Sequence, residues 1–172
     1  ANEEDTARKN FTVVIPAKNS LREEFFPTVT SPNEKPIIIP SIQEWYGYEG
    51  DFTLGKDTKI IINDCANVNL TAVAENMKAD LQEITGYELA IETGNATNNS
   101  IYIESLPNDS YGTGDEGYFM VTDAQGIKIY SHAYTGALYG TVTVEQILWR
   151  DDLHKNIPCG VIRDYPDYEI RG

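Results

Sequence analysis

Two strand-like runs joined by a brief polar link constrain the fold of this chain more than any other feature. Gly117–Thr122 and Gly126–Ser131 are rich in aromatic and β-branched residues, and Asp123-Ala124-Gln125 separates them. A link of three to four residues that contains glycine is typical of a β-hairpin. The two runs therefore predict an antiparallel strand pair, around which the other elements must be arranged.

Two further stretches carry apolar residues at the spacing of an α-helix. The first has an apolar stripe at offsets of three and four, formed by Leu70, Val73, Ala74, Met77, Leu81 and Ile84. Asn67 or Asn69 can cap its start, and Gly86 stands where a left-handed residue often ends a helix. The second stretch runs from Tyr134 to about Trp149, and its small residues would let it lie close against a sheet. Those residues are Gly136, Ala137 and Gly140.

Short runs rich in β-branched and aromatic residues predict the remaining strands. They are Ile37–Ile39, Trp45–Phe52, Lys59–Asn63, Leu89–Glu92, Ser100–Glu104 and Ile157–Ile162. Pro36 and Pro40 flank the first run, which marks it as an edge or entry strand. Strands and helices in this mixture predict an α+β fold with a single, mostly antiparallel sheet and two helices on one face.

The chain divides into three predicted parts. Residues 1–34 lack a sustained hydrophobic pattern and are punctuated by prolines, so we interpret them as a linker or the tail of a preceding module. Residues 35–163 hold the organised α+β domain. Residues 164–172 end on Ile170-Arg171-Gly172 without a polar tail. Because domain termini usually fray into solvent, we expect that the chain is cut where a following domain begins.

The charge balance narrows the classes of partner. With 13 basic and 27 acidic residues, the formal net charge is −14. Such an excess of acid argues against nucleic acid and against an anionic membrane surface, whereas neutral partners such as sugars remain possible. The longest apolar run, Ile37–Ile39, is far too short to span a membrane. Cys65 and Cys159 fit neither a disulfide scaffold nor a zinc cluster, although they could pair if their strand ends are neighbours.

Candidate catalytic and binding groups are sparse. His132 and His154 stand alone, so the sequence predicts no metal site, and no motif for a cofactor is found. Neighbouring carboxylates occur at Asp115-Glu116, at Asp151-Asp152 and in the set Asp164, Asp167 and Glu169. Such neighbours are expected by chance in an acidic chain. Trp45, Tyr46 and Tyr48 could stack on sugar rings or pack in the core. From its residues alone, the chain carries no self-sufficient active site.

Several stretches together resemble a known family. Glu116–Val121, Gly126–Ile129 and Thr135–Leu148 are similar to the non-catalytic domain that precedes the barrel in glycoside hydrolase family 20, the β-N-acetylhexosaminidases and their lacto-N-biosidase relatives. Ile157–Pro166, followed by Arg171-Gly172, resembles the family's entry into the first barrel strand. The resemblance covers residues 35–172 and implies a zincin-like accessory domain followed by the start of a (β/α)₈ catalytic barrel at residues 164–172.

The resemblance also implies a reaction and a binding residue. In this family the arginine five residues after the proline binds hydroxyls of the terminal N-acetylhexosamine, and Arg171 stands five after Pro166. The reaction is retaining and substrate-assisted, and its catalytic Asp-Glu pair lies in the barrel, which a chain of 172 residues cannot also hold. We therefore expect the chain alone to be inactive and to need no cofactor. Asp167 stands where the family often has an arginine, which leaves the subfamily open.

Two other readings stay open at this stage. One is the accessory domain of a family 84 hydrolase of the O-GlcNAcase type. The other is a free-standing carbohydrate-binding module that uses Trp45, Tyr46 and Tyr48. Under the leading reading, the parent protein is a secreted bacterial enzyme at the cell surface or outside the cell, and its partners are glycans that contain N-acetylhexosamine.

Overall fold

The structure is a computed structural model that describes residues 28–64 and 68–166. The described residues form seven strands and two helices. The strands are β1 (Glu44–Thr53), β2 (Lys59–Asn63), β3 (Ala90–Thr93), β4 (Ser100–Ser105), β5 (Tyr118–Asp123), β6 (Gly126–Ser131) and β7 (Asn156–Asp164). The helices are α1 (Thr71–Thr85) and α2 (Tyr134–Arg150).

The strands of the described residues form one sheet in the order β1-β7-β5-β6-β4-β2-β3. The pairs β1–β7, β7–β5 and β5–β6 are antiparallel, whereas β6–β4, β4–β2 and β2–β3 are parallel. The predicted hairpin is confirmed as β5–β6, and it joins the antiparallel half of the sheet to the parallel half. The predicted α+β class, with two helices on one face of one sheet, is confirmed.

Strand alternation gives the sheet two different faces. The face toward the helices is aliphatic, and it carries Ile60, Ile62, Ile101, Ile103, Met120, Ile127 and Ile129, all in the same buried cluster as the helix residues. The opposite face holds a smaller cluster of Tyr111, Phe119, Val121 and Val161. There Tyr111, from the segment between β4 and β5, stacks on Phe119 with ring centroids 4.1 Å apart.

The apolar stripe of α1 faces the core as predicted, since Val73, Ala74, Met77 and Leu81 are buried. Asn69 Oδ1 accepts a hydrogen bond of 2.9 Å from the backbone N–H of Thr71, which satisfies one of the free donors at the helix start. Gly86 ends the helix with a φ of 82°, and its N–H donates to the carbonyl of Gln82 at 2.9 Å. The predicted helix end is therefore confirmed at Gly86.

Helix α2 lies close against the sheet, as its small residues predict. A Cβ added at Gly136 would lie 2.0 Å from the carbonyl oxygen of Gly117, and one added at Gly140 would lie 2.7 Å from Cγ2 of Ile129. Buried Thr143 and Val144 have low intrinsic helix propensity. Burial of this face against β5 and β6 outweighs that preference, which amounts to less than about 1 kcal/mol per residue.

The strand predicted at Ile37–Ile39 is wrong, because no strand pairs with this segment among the described residues. The side chains of Ile37 and Ile39 are 72% and 73% exposed. The amide of Gln146 on α2 holds the segment instead. Its Oε1 accepts from the N–H of Ile39 at 3.0 Å, and its Nε2 donates to the carbonyl of Ile39 at 3.0 Å.

Residues 28–34 contact β1 and β7. Glu49 Oε1 accepts from the backbone N–H groups of Thr30 and Ser31 at 3.1 and 2.8 Å. Asn33 Nδ2 donates to the carbonyls of Gly50 and Cys159 at 2.7 and 3.0 Å. These bonds place residues 30–33 along the edge strand. The division of the chain at residues 34 and 163 stays a prediction.

Candidate functional site

The end of β7 is the point from which the chain continues toward Arg171, and it holds a buried ion pair. Arg163 is 2% exposed. It lies opposite Phe119 in the β5–β7 pair, so its side chain is on the face of the sheet away from the helices. Its Nε donates to Glu44 Oε2 at 2.9 Å, and its Nη2 donates to Glu44 Oε1 at 3.1 Å. Nη1 donates to the carbonyl of Tyr111 at 3.3 Å. This two-bond geometry neutralises the guanidinium and fixes its orientation.

The two residues after Arg163 are bonded to the same part of the chain. Asp164 Oδ1 accepts from the backbone N–H of Gln43 at 3.0 Å. Burial raises the pKa of the Asp164 carboxyl above its usual value, although nearby donors and the charge of Lys35 act in the opposite direction. Burial and a hydrogen bond to Glu44 likewise raise the pKa of the Tyr165 hydroxyl. Gln43 is therefore bonded to Asp164, and Glu44 is bonded to Arg163 and to Tyr165.

The surface of α2 that faces away from the sheet is partly apolar. We call the side chains of Ile39, Tyr139, Val142 and Trp149 the outer face, and they are 73%, 45%, 36% and 61% exposed. Beside them lies an open groove of about 350 Å³ between the two helices. Its lining consists of Ile84, Val142, Glu145, Gln146, Trp149 and Arg150. Exposed aromatic and aliphatic groups clustered in this way make this surface a candidate for contact with another protein surface.

Two carboxyl groups meet across the helices beside this groove. Glu145 on α2 is hydrogen bonded to Asp80 on α1. Burial, that hydrogen bond and the negative charge of Asp80 raise the pKa of Glu145 to about 9. Glu145 therefore carries a proton at neutral pH and can donate it to the Asp80 carboxylate in a hydrogen bond, so that the two groups hold α1 and α2 together.

The histidines occupy separate places and take structural roles. His132 Nε2 lies 2.9 Å from Asp115 Oδ1. His154 Nδ1 lies 3.0 Å from the carbonyl of Leu148, and its ring stacks on Trp149 at a centroid distance of 5.5 Å. Across residues 28–64 and 68–166, no group of three or more side chains suited to a metal ion is found.

The carboxylate neighbours also take structural roles where the structure describes them. Asp151 Oδ2 accepts from the backbone N–H groups of Lys155 and Asn156, both at 3.0 Å. Burial opposes the charge of Asp151, but these and other nearby donors hold its pKa below the usual value. Asp167, Glu169 and the predicted sugar-binding Arg171 lie outside the described residues.

The three aromatic residues of β1 do not form one stacking surface. Trp45 packs against the helix-side core, and its Nε1 donates to the carbonyl of Asn33 at 3.0 Å. Tyr46 and Tyr48 pack against the cluster on the other face, with their rings edge to face at 6.0 Å. A sugar-stacking platform made of all three residues is therefore not formed.

Cys159 carries a free, buried thiol among the described residues, whereas Cys65 lies outside them. Burial, together with the charges of Asp123 and Asp51, raises the pKa of the Cys159 thiol to about 12. Strands β5, β6 and β4 separate β7 from β2, the strand that precedes Cys65. Strand β7, which carries Cys159, is therefore not a neighbour of β2 in the sheet.

Sequence reasoning missed Glu44, Arg163 and the Asp80–Glu145 pair. Glu44 and Arg163 are 119 residues apart, and no spacing rule joins them. One signal was present, because Arg163 follows Val161 and Ile162 directly in a strand that reads as buried. A charged residue in such a place is rarely tolerated without a partner, although the sequence does not say which residue pairs with it.

Neither described helix is long and apolar enough to cross a membrane. Comparison with known proteins gives matches that agree with each other. The lacto-N-biosidase of Bifidobacterium bifidum is 28% identical to this chain over 138 residues, which make up 80% of the chain and 12% of that protein. The chitobiase of Flavobacterium johnsoniae has a TM-score of 0.62 at 26% identity, over 76% of this chain and 21% of that one.

A further solved structure, CpGH84D, has a TM-score of 0.60 at 16% identity, over 78% of this chain and 24% of that one, and this likeness shows a shared fold alone. The chain thus spans a quarter or less of each of these proteins. The family model described as glycosyl hydrolase family 20, domain 2, matches residues 35–165. This chain therefore belongs to glycosyl hydrolase family 20, as its domain 2.

Proposed function

We propose that this domain serves a β-N-acetylhexosaminidase-like hydrolase by packing on the catalytic barrel that follows it. The parent enzyme would remove terminal N-acetylhexosamine, or lacto-N-biose, from glycans. The described domain contributes rigidity and a fixed junction rather than catalytic groups.

The outer face of α2 supports this proposal most directly. Ile39, Tyr139, Val142 and Trp149 expose apolar surface beside a groove of about 350 Å³. Asp164, at the end of β7, lies on the helix side of the sheet, because the Tyr118 hydroxyl contacts both Asp164 and the buried, sheet-facing Thr143 of α2. The chain therefore leaves the sheet on the side of the helices, and the relatives are several times longer than this chain.

Arg171 is the residue of this chain that we assign to the substrate. A guanidinium presents a planar set of donors that suits the hydroxyl groups of a pyranose ring. Its place five residues after Pro166 matches the family pattern. In this assignment Arg171 lies in the barrel and binds the terminal sugar only when the barrel is present.

The reaction itself would take place in the barrel by substrate-assisted retaining hydrolysis. The oxygen of the substrate's 2-acetamido group attacks the anomeric carbon, a glutamate protonates the leaving oxygen, and an aspartate orients the acetamide. Water then opens the intermediate. Every group in this scheme belongs to the substrate or to the barrel, so the domain alone should have no hydrolytic activity.

Hydrolysis of an aryl N-acetylglucosaminide tests the proposal. The 172-residue chain should release no phenol, whereas the chain extended through the barrel should be active. An aryl lacto-N-bioside distinguishes the two kinds of family substrate. Turnover by the 172-residue chain, or a folded extended chain that acts on neither substrate, would contradict the proposal.

The family 84 alternative is less well supported than family 20. Its fold relative CpGH84D is only 16% identical to this chain, while residues 35–165 match the family 20 model. We also propose that the parent protein is bacterial and is secreted to the cell surface or beyond, where glycans that contain N-acetylhexosamine are found. Fractionation of the source organism, followed by immunodetection of this domain, checks that location.

A further inference from the structure

Residues 30–33, which we call the strap, are bonded to β1 where its pairing with β7 is interrupted. The register of this strand pair shifts near its middle, and in the described sheet residues 48–50 have no partner in β7. Asn33 lies at this gap. Its Nδ2 donates to the carbonyls of Gly50 on β1 and Cys159 on β7, at 2.7 and 3.0 Å. One side chain therefore joins the two strands where their own ladder is broken.

The amide of Asn33 takes the place of ladder hydrogen bonds that the irregularity removes. Cys159 is 3% exposed, and a buried carbonyl without a partner costs free energy. An asparagine amide has two N–H donors, so it can serve a carbonyl of each strand at once. The backbone N–H of Asn33 adds a third bond, to the carbonyl of Tyr48 at 2.8 Å. Asn33 is thus the residue that fastens the strap.

The strap lies closer to β1 than a side chain at position 47 would allow. A Cβ added at Gly47 would lie 2.2 Å from the carbonyl oxygen of Asn33 and 3.0 Å from its backbone nitrogen. The same carbonyl oxygen accepts from Nε1 of Trp45 at 3.0 Å. Trp45 in turn packs on β7, since a Cβ added at Gly160 would lie 2.3 Å from its Cη2. Both strands therefore have a glycine at the place that the strap and Trp45 occupy.

Glu49 holds the other end of the strap. Its Oε1 accepts from the backbone N–H groups of Thr30 and Ser31 at 3.1 and 2.8 Å. All three residues are exposed, so water competes for these bonds, and they contribute less than the bonds of Asn33. The strap is therefore held firmly at Asn33 and more loosely at Thr30 and Ser31.

We propose that the strap is a conformational latch that governs the local opening of β1. Strand β1 lies at the end of the sheet, and β7 is its only strand neighbour in the described sheet. Edge elements of this kind open without unfolding of the whole domain, and the bonds that hold them set how often they do so. The strap lies ahead of residues 35–165, which match the family model. Control of β1 therefore comes from outside the matched region and does not depend on the proposed function.

Amide hydrogen exchange in the 172-residue chain, under conditions that favour the folded state, tests the latch. Asn33→Ala removes both side-chain donors, and Asn95→Ala, at an exposed position between β3 and β4, is the matched control. We expect the amides of β1 to exchange roughly tenfold faster in Asn33→Ala and at the wild-type rate in the control. Local opening of β3, the opposite edge strand, leaves the strap in place, so the amides of β3 should keep their wild-type rates in both variants.

Gly47→Ala loosens the strap in a second way, since the backbone of Asn33 cannot stay where the new Cβ lies. It should also speed the exchange of β1 roughly tenfold. Gly55→Ala, where nothing lies within 4 Å of the added Cβ, is its control. Because both variants act through the strap, the effect of combining Asn33→Ala with Gly47→Ala should fall well short of the product of the two single effects. Independent damage to β1 would instead multiply them.

Wild-type exchange of β1 in both Asn33→Ala and Gly47→Ala overturns the latch. So does a single rate and urea dependence shared by β1 and the central strand β5, because β1 would then open only when the whole domain unfolds. Glu49→Ala keeps the test available if the other variants fold poorly, since its side chain is exposed. It should speed the exchange of β1 roughly threefold, whereas Asp51→Ala, which removes an exposed carboxylate from the same strand, should not. Equal rates in these last two variants also overturn the latch.

Discussion

Gly136 sets how closely α2 can approach the sheet. Its backbone faces the carbonyl of Gly117 just before β5, and a Cβ at this position would lie 2.0 Å from that oxygen and 2.5 Å from Ser131 Oγ. Neither contact can relax by rotation of a flexible side chain alone. Ser131 Oγ already donates to the carbonyl of Ala133 at 2.6 Å and accepts from its N–H at 3.1 Å.

We predict that Gly136→Ala destabilises the domain. Alanine is favoured over glycine in a helix by about 1 kcal/mol, so the intrinsic preference would stabilise the variant. The clash forces α2 outward, and overpacking of this kind typically costs about 1–3 kcal/mol. We therefore expect a net loss in the free energy of unfolding, measured with urea.

Gly55→Ala is the matched control for this prediction. Gly55 has nothing within 4 Å of an added Cβ, and its φ does not lie in the left-handed region. The same substitution there should be neutral or slightly stabilising, because it reduces the freedom of the unfolded chain. Equal stabilities of the two variants would show that α2 does not lie as close to β5 as described.

At the scale of the elements, a hydrogen bond between Glu145 and Asp80 joins the two helices. The folded-state pKa of Glu145 is about 9, above its ordinary value of 4.5, because burial and Asp80 disfavour its charge. The folded state therefore binds this proton more tightly than the unfolded state does. The resulting stability is fully present below about pH 4.5 and is lost as the pH rises through about 9.

We predict that Glu145→Gln removes this pH dependence. Glutamine keeps a hydrogen-bond donor for Asp80 but does not ionise. The free energy of unfolding of the variant should therefore not fall between pH 5 and pH 9 through ionisation at position 145. The difference in free energy of unfolding between variant and wild type should grow in favour of the variant as the pH rises. Glu75→Gln, an exposed carboxylate on α1, should leave the wild-type profile unchanged. A constant difference across this range would contradict the assignment.

Elements with a strong local pattern could be predicted from the sequence, and elements that depend on a partner could not. The stripe ending at Ile84 and the hairpin link at Asp123–Gln125 are local signals, and both are found in the structure. The Ile37–Ile39 run has the composition of a strand, but its backbone bonds go to Gln146, 107 residues away. The parallel pairs β2–β4 and β4–β6 likewise join segments that no short-range signal connects.

At the scale of the whole molecule, the residues of the candidate site also fall into two groups: those with a local sequence signal and those that depend on a distant partner. Arg171 could be proposed from its spacing to Pro166 because both belong to one local motif. The Glu44–Arg163 pair could not, since its members are 119 residues apart, and neither could the position of Ile39 beside α2, which depends on Gln146. The aromatic run in β1 shows the converse error: Trp45 and Tyr46 are adjacent in sequence, yet alternation along the strand sends them to opposite faces.

The outer face gives a prediction that compares the domain alone with the whole protein. Trp149 is 61% exposed, so Trp149→Glu should change the unfolding free energy of the isolated domain by no more than about 1 kcal/mol. In the protein that includes the barrel, the same substitution would place a charge in an apolar contact. There it should cost about 2–4 kcal/mol, because a buried charge without a partner is strongly disfavoured.

Thermal unfolding of both forms measures this difference. In the full-length protein, Trp149→Glu should lower the melting temperature or split the transition into separate domain and barrel steps, while the isolated domain melts almost as the wild type does. Thr93→Glu, a new charge on the exposed edge strand β3, should leave both forms unchanged. If Trp149→Glu has the same small effect in both forms, the outer face does not contact the barrel. The following domain would then be joined to this one through the end of β7 alone.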